Sequence, residues 1–146
     1  IGAYYTTLVN SPEGRTSNII LSCARINGTI LQSGEVFSFN KTVGERTSAA
    51  GYREAKIFVG NTIVSGLGGG ICQTATTLYN AGLESKLEII ERYPHTLPVA
   101  YIGKGRDATV SWNGADLKMR NCLAKPVKIL CCVYGPYVLA AVAEVK

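Results

Sequence analysis

Residues 66–86 read GLGGGICQTATTLYNAGLESK. Glycine fills 66, 68, 69 and 70, and Cys72 then opens a segment of helical spacing that places Ala75, Leu78, Tyr79 and Leu83 on one side. The run before it, EAKIFVGNTIVSGLG (54–68), reads as a strand, a turn at Gly60-Asn61 and a second strand. The stretch therefore joins a hairpin to a helix, predicted over 72–86, through residues with little steric restraint. Threonines at 74, 76 and 77 are weak helix formers, so packing must hold this helix.

Working outward, residues 3–9 look like a strand, and 10–18 carry turn chemistry ending in Thr16, Ser17 and Asn18, all competent helix caps. Ile19, Ile20, Cys23, Ala24, Ile26, Ile30 and Leu31 give a second helix over 19–31, ended or weakened at Gly28. Residues 34–40 alternate as a strand, and 41–52 are loop-like. Residues 87–102 start as a strand that Pro94 and Pro98 break. Residues 107–121 suggest two strands around Asn113-Gly114, and 125–145 two more around Gly135-Pro136. The expectation is an α+β fold in a single domain. Its two main helices pack on a largely antiparallel or mixed β-sheet, with the motif cysteine at a helix N-terminus.

A chain of 146 residues is long enough to enclose a core. With 47% hydrophobic and 17% charged residues it is not a disordered composition. The net charge of +5 favours anionic surroundings, but the basic residues are scattered rather than clustered with aromatics, which argues against a nucleic-acid groove. No apolar run has the roughly 20 residues of a membrane helix. The chain begins at Ile1 without an initiator methionine, so the expectation is a domain (1–146) excised from a longer protein, with any export signal or anchor upstream. One histidine and no C-x-x-C pair give no reason to expect a metal, and nothing suggests an organic cofactor. Of the five cysteines, Cys23, Cys131 and Cys132 sit in apolar patterns and read as small buried hydrophobes.

Cys72 differs because its neighbours are glycines. A helix N-terminus presents unpaired N–H groups and a partial positive charge, which lowers a thiol pKa. Gly68, Gly69 and Gly70 allow close backbone approach and a nest of N–H groups. Together these are the parts for acyl transfer, a nucleophile and an oxyanion hole. A tight strand-to-helix turn with a small buried residue explains the same letters. A phosphate loop is disfavoured because no Gly-Lys-Ser/Thr follows. The single histidine, His95, lies in a proline-restrained loop and is the candidate base. Asp107 or Arg106 would orient it or hold a substrate carboxylate; the two also read as a plain surface ion pair. Gln73 would donate to a tetrahedral intermediate or cap the helix, and Ser111 and Trp112 are candidate cleft residues.

The segments GEVFSFNKTVGERTSAAGY, GGGICQTATTLYNAGLE, IIERYPHTLPVAYIGKGRDATVSW and DLKMRN, in this order, resemble the VanW family of bacterial cell-envelope proteins over about residues 5–130. The resemblance implies a VanW-like catalytic domain from an exported, membrane-anchored protein of a Gram-positive cell wall. It further implies a peptidoglycan L,D-transpeptidase, with Cys72 as nucleophile, that forms 3-3 cross-links between diaminopimelate residues. The implied partners are peptidoglycan stem peptides, a tetrapeptide donor and a diaminopimelate acceptor, and the protein itself is expected to be a monomer. Two other readings stand beside it: a non-catalytic peptidoglycan- or glycopeptide-binding module, and a cysteine peptidase or amidase on the same substrate.

Overall fold

The computed structural model describes residues 1–59, 62–95 and 99–145. In chain order the elements are β1 (Gly2–Thr7), α1 (Glu13–Ile26), β2 (Thr29–Leu31), β3 (Val36–Ser38), α2 (Phe39–Val43), β4 (Glu54–Val59), β5 (Thr62–Leu67), α3 (Ile71–Glu84), β6 (Glu88–Glu91), β7 (Lys118–Arg120), β8 (Val127–Tyr134) and β9 (Tyr137–Glu144). The fold is α+β, and every strand pair is antiparallel. Among the described residues the strands divide into three sheets, in the orders β1-β9-β8-β2, β3-β7-β6 and β4-β5.

Alternation explains the largest sheet. In β8 and β9, Val127, Ile129, Cys131, Val138, Ala140 and Val142 face inward and are at most 3% exposed. α1 covers β8, and α3 covers β1 and β9. The same alternation turns Cys132 outward, which corrects its reading as a buried residue. Cys23 on α1 meets Cys131 with the sulfurs 3.1 Å apart in the core.

Several boundaries differ from the expected ones. α1 starts at Glu13, with Pro12 at the N-cap, so Thr16, Ser17 and Asn18 lie inside the helix. α1 also stops at Ile26; Gly28 then takes φ 91°, and 29–31 leave the helix to pair with β8. The strand expected over 34–40 shortens to β3, because the Ser38 side chain accepts the Lys41 amide and caps α2. Residues 107–112 form no strand, although the turn at Asn113 is present with φ 60°. The turn expected at Gly60-Asn61, and Pro98, lie outside the described residues.

The apolar side of α3 was also misjudged in part. Leu83 is 40% exposed, whereas Thr74, Thr76, Thr77 and Asn80 are fully buried. These polar side chains are bonded rather than stranded. Thr74 pairs with Ser22 of α1, and Thr77 with Thr6 of β1. On α3's remaining side Gly82 leaves room for Met119 of β7, whose sulfur a Cβ at 82 would strike. Packing on several sides thus holds a helix whose propensities are poor.

Asn18 is the knot between α1 and the hairpin. It is 0% exposed, donates to the Arg53 and Gly69 carbonyls at 3.0 Å each, and accepts the Arg53 amide at 2.8 Å. Asn18→Ala would leave buried backbone groups unpaired, so urea unfolding should show a loss of about 2–4 kcal/mol. A loss below about 1 kcal/mol would mean that the glycine turn does not depend on this residue.

Candidate functional site

The turn between β5 and α3 is built around three glycines. Gly68 and Gly70 have φ 82° and 105°, a region that favours glycine. Space forbids a side chain as well. A Cβ on Gly68 would lie 2.6 Å from Arg46 Cγ, and one on Gly70 would lie 2.6 Å from Arg15 Cγ. A Cβ on Gly69 would lie 2.6 Å from the Lys56 carbonyl oxygen. The glycines are therefore the floor on which two arginine stems lie. Among the described residues, the amides of Gly69, Gly70 and Cys72 find no acceptor within the protein.

Cys72 is the second residue of α3 and is half-buried. Its thiol donates to the Val110 carbonyl at 3.5 Å. Two further rungs continue down the same face of the helix. Thr76 Oγ1 accepts the Ala108 amide at 2.9 Å, and Asn80 Nδ2 donates to the Arg106 carbonyl at 2.8 Å. Each step is four residues on the helix and two on the facing segment. Four helical residues rise about 6 Å, and two extended ones about 6.6 Å, so the rungs stay in register. This replaces the strand expected over 107–112.

The alternate residues of that segment face the 92–95 loop. The Thr109 amide donates to the Tyr93 carbonyl at 2.7 Å, and Arg92 Nε to the Asp107 carbonyl at 2.8 Å. Asp107 Oδ2 accepts both the His95 amide, at 2.5 Å, and sits 2.6 Å from His95 Nδ1. The imidazole is 2% exposed. Burial pushes the Asp107 carboxyl up, but the hydrogen bonds from the His95 amide and ring outweigh it and hold the group below the usual carboxylate range. The carboxylate thus fixes the ring's orientation and its Nδ1 partner.

Cys72 and His95 line one cleft of about 790 Å³, together with Gly68, Gly69, Gly70, Ser111 and Trp112. Arg15, Arg46 and Tyr101 line it too. Two residues named from sequence do not serve it as expected. Arg106 turns away, with Nε 3.0 Å from Asn80 Oδ1 and a long contact to Glu84. The Gln73 amide nitrogen is committed to Thr6 Oγ1 and the Thr7 carbonyl, so it ties α3 to β1 rather than facing a reacting carbonyl.

Arg15 and Arg46, which line the cleft along with the exposed Lys56, are cations that the sequence reading missed. No motif marks them, and they reach the site only through the glycine turn. Arg46 donates to the Gly44 carbonyl at 2.9 Å and Asn40 Oδ1 at 2.7 Å, and lies over the Phe39 and Trp112 rings. Arg15 lies over the Tyr101 ring and reaches Ser11 Oγ at 3.3 Å. Burial lowers both guanidinium pKa values, and the neighbouring tyrosines and Cys72 oppose that shift.

Burial likewise pushes the Cys72 thiol above its ordinary value, against the pull of the Val110 backbone and of Arg46 and Arg15. This corrects the expectation of a lowered thiol pKa: desolvation outweighs the Val110 backbone and the two guanidinium groups. In the free protein the group is a thiol at neutral pH, and a base must take its proton. The rate of Cys72 alkylation by iodoacetamide should therefore rise with a midpoint above the usual thiol value of about 8.5. A midpoint below about 7 would show a preformed thiolate instead.

The family described as VanW-like protein matches residues 14–142. The YoaR protein of Bacillus subtilis is 43% identical over 135 residues, which cover 92% of this chain and 45% of YoaR. The vancomycin B-type resistance protein VanW of Enterococcus faecalis is 32% identical over 114 residues, covering 75% of this chain and 42% of that protein. The chain thus spans less than half the length of the curated relatives it matches. No solved structure matches it significantly.

Proposed function

The chain belongs to the VanW-like family, and on that premise we propose that it is a cysteine-dependent acyltransferase of the bacterial cell envelope, a peptidoglycan L,D-transpeptidase. One observation carries the reading: Cys72 shares a cleft with His95, whose ring is held by a buried carboxylate, Asp107. Nucleophile, base and orienting group are the set that covalent acyl transfer needs.

His95 takes the thiol proton as Cys72 attacks the carbonyl of the L-centre of diaminopimelate in a tetrapeptide stem. The developing oxyanion is met by the amides of Gly69, Gly70 or Cys72, which have no acceptor among the described residues. His95 passes the proton to the departing D-alanine amine, leaving a thioester on Cys72. The side-chain amine of a second diaminopimelate then attacks the thioester and yields a 3-3 cross-link. Asp107 keeps the imidazole oriented through both transfers. Extracellular location, with anchorage outside this chain, belongs to the same proposal.

The binding-module reading keeps the amide nest for a stem-peptide carboxylate and gives Cys72 no chemistry. Muropeptide mass spectrometry separates the two. With disaccharide-tetrapeptide, the wild type should give dimers that have lost one D-alanine, and Cys72→Ala should give none. His95→Ala should slow the reaction by about 10²–10⁴-fold. Tripeptide monomers in place of dimers would make water the acceptor. Unchanged substrate with intact binding would leave the binding module.

A further inference from the structure

The two arginines of the cleft carry charges that no described acidic side chain neutralises by contact. Arg46 is only 9% exposed, yet its hydrogen bonds go to a carbonyl and an amide oxygen. Arg15 bonds a hydroxyl. Among the described residues neither forms an ion pair, whereas Arg53, Arg92, Arg106 and Arg120 all do. Glu45 lines the same cleft but is exposed and closes on neither arginine. Holding a guanidinium out of water without an anion is unfavourable, and an anionic ligand removes that cost.

Placement gives the charges a target. The stem of Arg46 crosses Gly68 and that of Arg15 crosses Gly70, so the two cations sit at either end of the turn that leads into Cys72. Aromatic faces hold them there: Phe39 and Trp112 for Arg46, Tyr101 for Arg15. Both act electrostatically on the Cys72 sulfur. The amides of Gly69 and Gly70 in the same turn have no acceptor among the described residues.

We propose that Arg15 and Arg46 form a carboxylate-binding subsite beside Cys72, which engages the free α-carboxylate of the donor peptide's C-terminal residue. The inference rests on reading Cys72 as the nucleophile and deepens it: the domain acts on the last peptide bond of a stem and not on internal bonds. One extended residue spans about 3.6 Å, so the carboxylate lies within a residue of the attacked carbonyl. In the step so selected the sulfur–carbon bond forms and the carbon–nitrogen bond breaks. The thiol proton travels through His95 to the amine of the released amino acid. A donor whose C-terminus is amidated or extended has no carboxylate at this position, and the two guanidinium groups stay unneutralised.

The test uses the thiol itself. Cys72 would be alkylated with iodoacetate or iodoacetamide in the wild type, Arg15→Gln, Arg46→Gln and Arg46→Lys. Modification is read on the Cys72 peptide by mass spectrometry, so the exposed Cys122 and Cys132 do not contribute. The ratio of the two rates cancels any change in thiol acidity. It should fall about tenfold in each Gln variant, the scale of a lost charged hydrogen bond. Arg46→Lys should recover only part, since it keeps the charge and loses the fork. N-acetyl-D-alanine should protect the wild-type thiol, and its amide should not. Equal protection by acid and amide, or an unchanged ratio in variants that fold by circular dichroism, overturns the subsite. If Arg46→Gln fails to fold, Arg15→Gln decides alone. A wild-type domain that shows the carboxylate effects but makes no cross-linked muropeptide keeps the subsite and loses only the transpeptidase reading.

Discussion

One face of α3 organises the site. Cys72, Thr76 and Asn80 are spaced four apart, and they meet Val110, Ala108 and Arg106, spaced two apart and running the other way. The match between helical rise and extended-chain rise lets three consecutive contacts form without distortion. Because the facing segment alternates, its other residues turn toward the 92–95 loop, and there Asp107 collects both the amide and the ring of His95. The position of His95 relative to Cys72 is thus set by a ladder that runs along one face of the helix. The buried threonines that weaken α3 as an isolated helix are what attach it to its neighbours.

The glycine turn plays a complementary part. Its glycines are required by the two arginine stems and by the β4 backbone, as much as by any need for free amides. The result is a cleft in which opposing effects meet at the Cys72 sulfur, and desolvation prevails. Desolvation holds the sulfur protonated, while two nearby guanidinium groups favour the thiolate. A thiol held protonated is also less open to oxidation, since the thiolate is the form prone to it.

Much of this architecture was legible, and the failures have identifiable causes. The glycine-to-helix junction and the 125–145 hairpin followed from turn residues and periodicity. Helix starts were placed late because Thr16, Ser17 and Asn18 look like caps; Asn18 is used instead for a tertiary bond to Arg53 and Gly69. The 107–112 segment looked like a strand because it alternates, but it alternates between a helix and a loop. Arg106 reads as a site residue because it adjoins Asp107 in sequence, whereas adjacent residues of an extended segment point to opposite sides. The four-residue spacing of Cys72, Thr76 and Asn80 was the signal that could have revealed the ladder.

By itself the sequence determined the fold class, the family, and the chemical types gathered around Cys72, because periodicity, turn chemistry and motif order are local properties of the chain. Tertiary structure alone decided which cations enter the cleft, that burial raises the thiol instead of the helix end lowering it, and that Asp107 rather than Arg106 holds His95. Those outcomes depend on distance and desolvation between segments far apart in the chain: Arg15, Arg46 and Cys72 meet only after α1, α2 and α3 have packed. Coulomb interaction and solvent exclusion act through space, and no local pattern of residues records them.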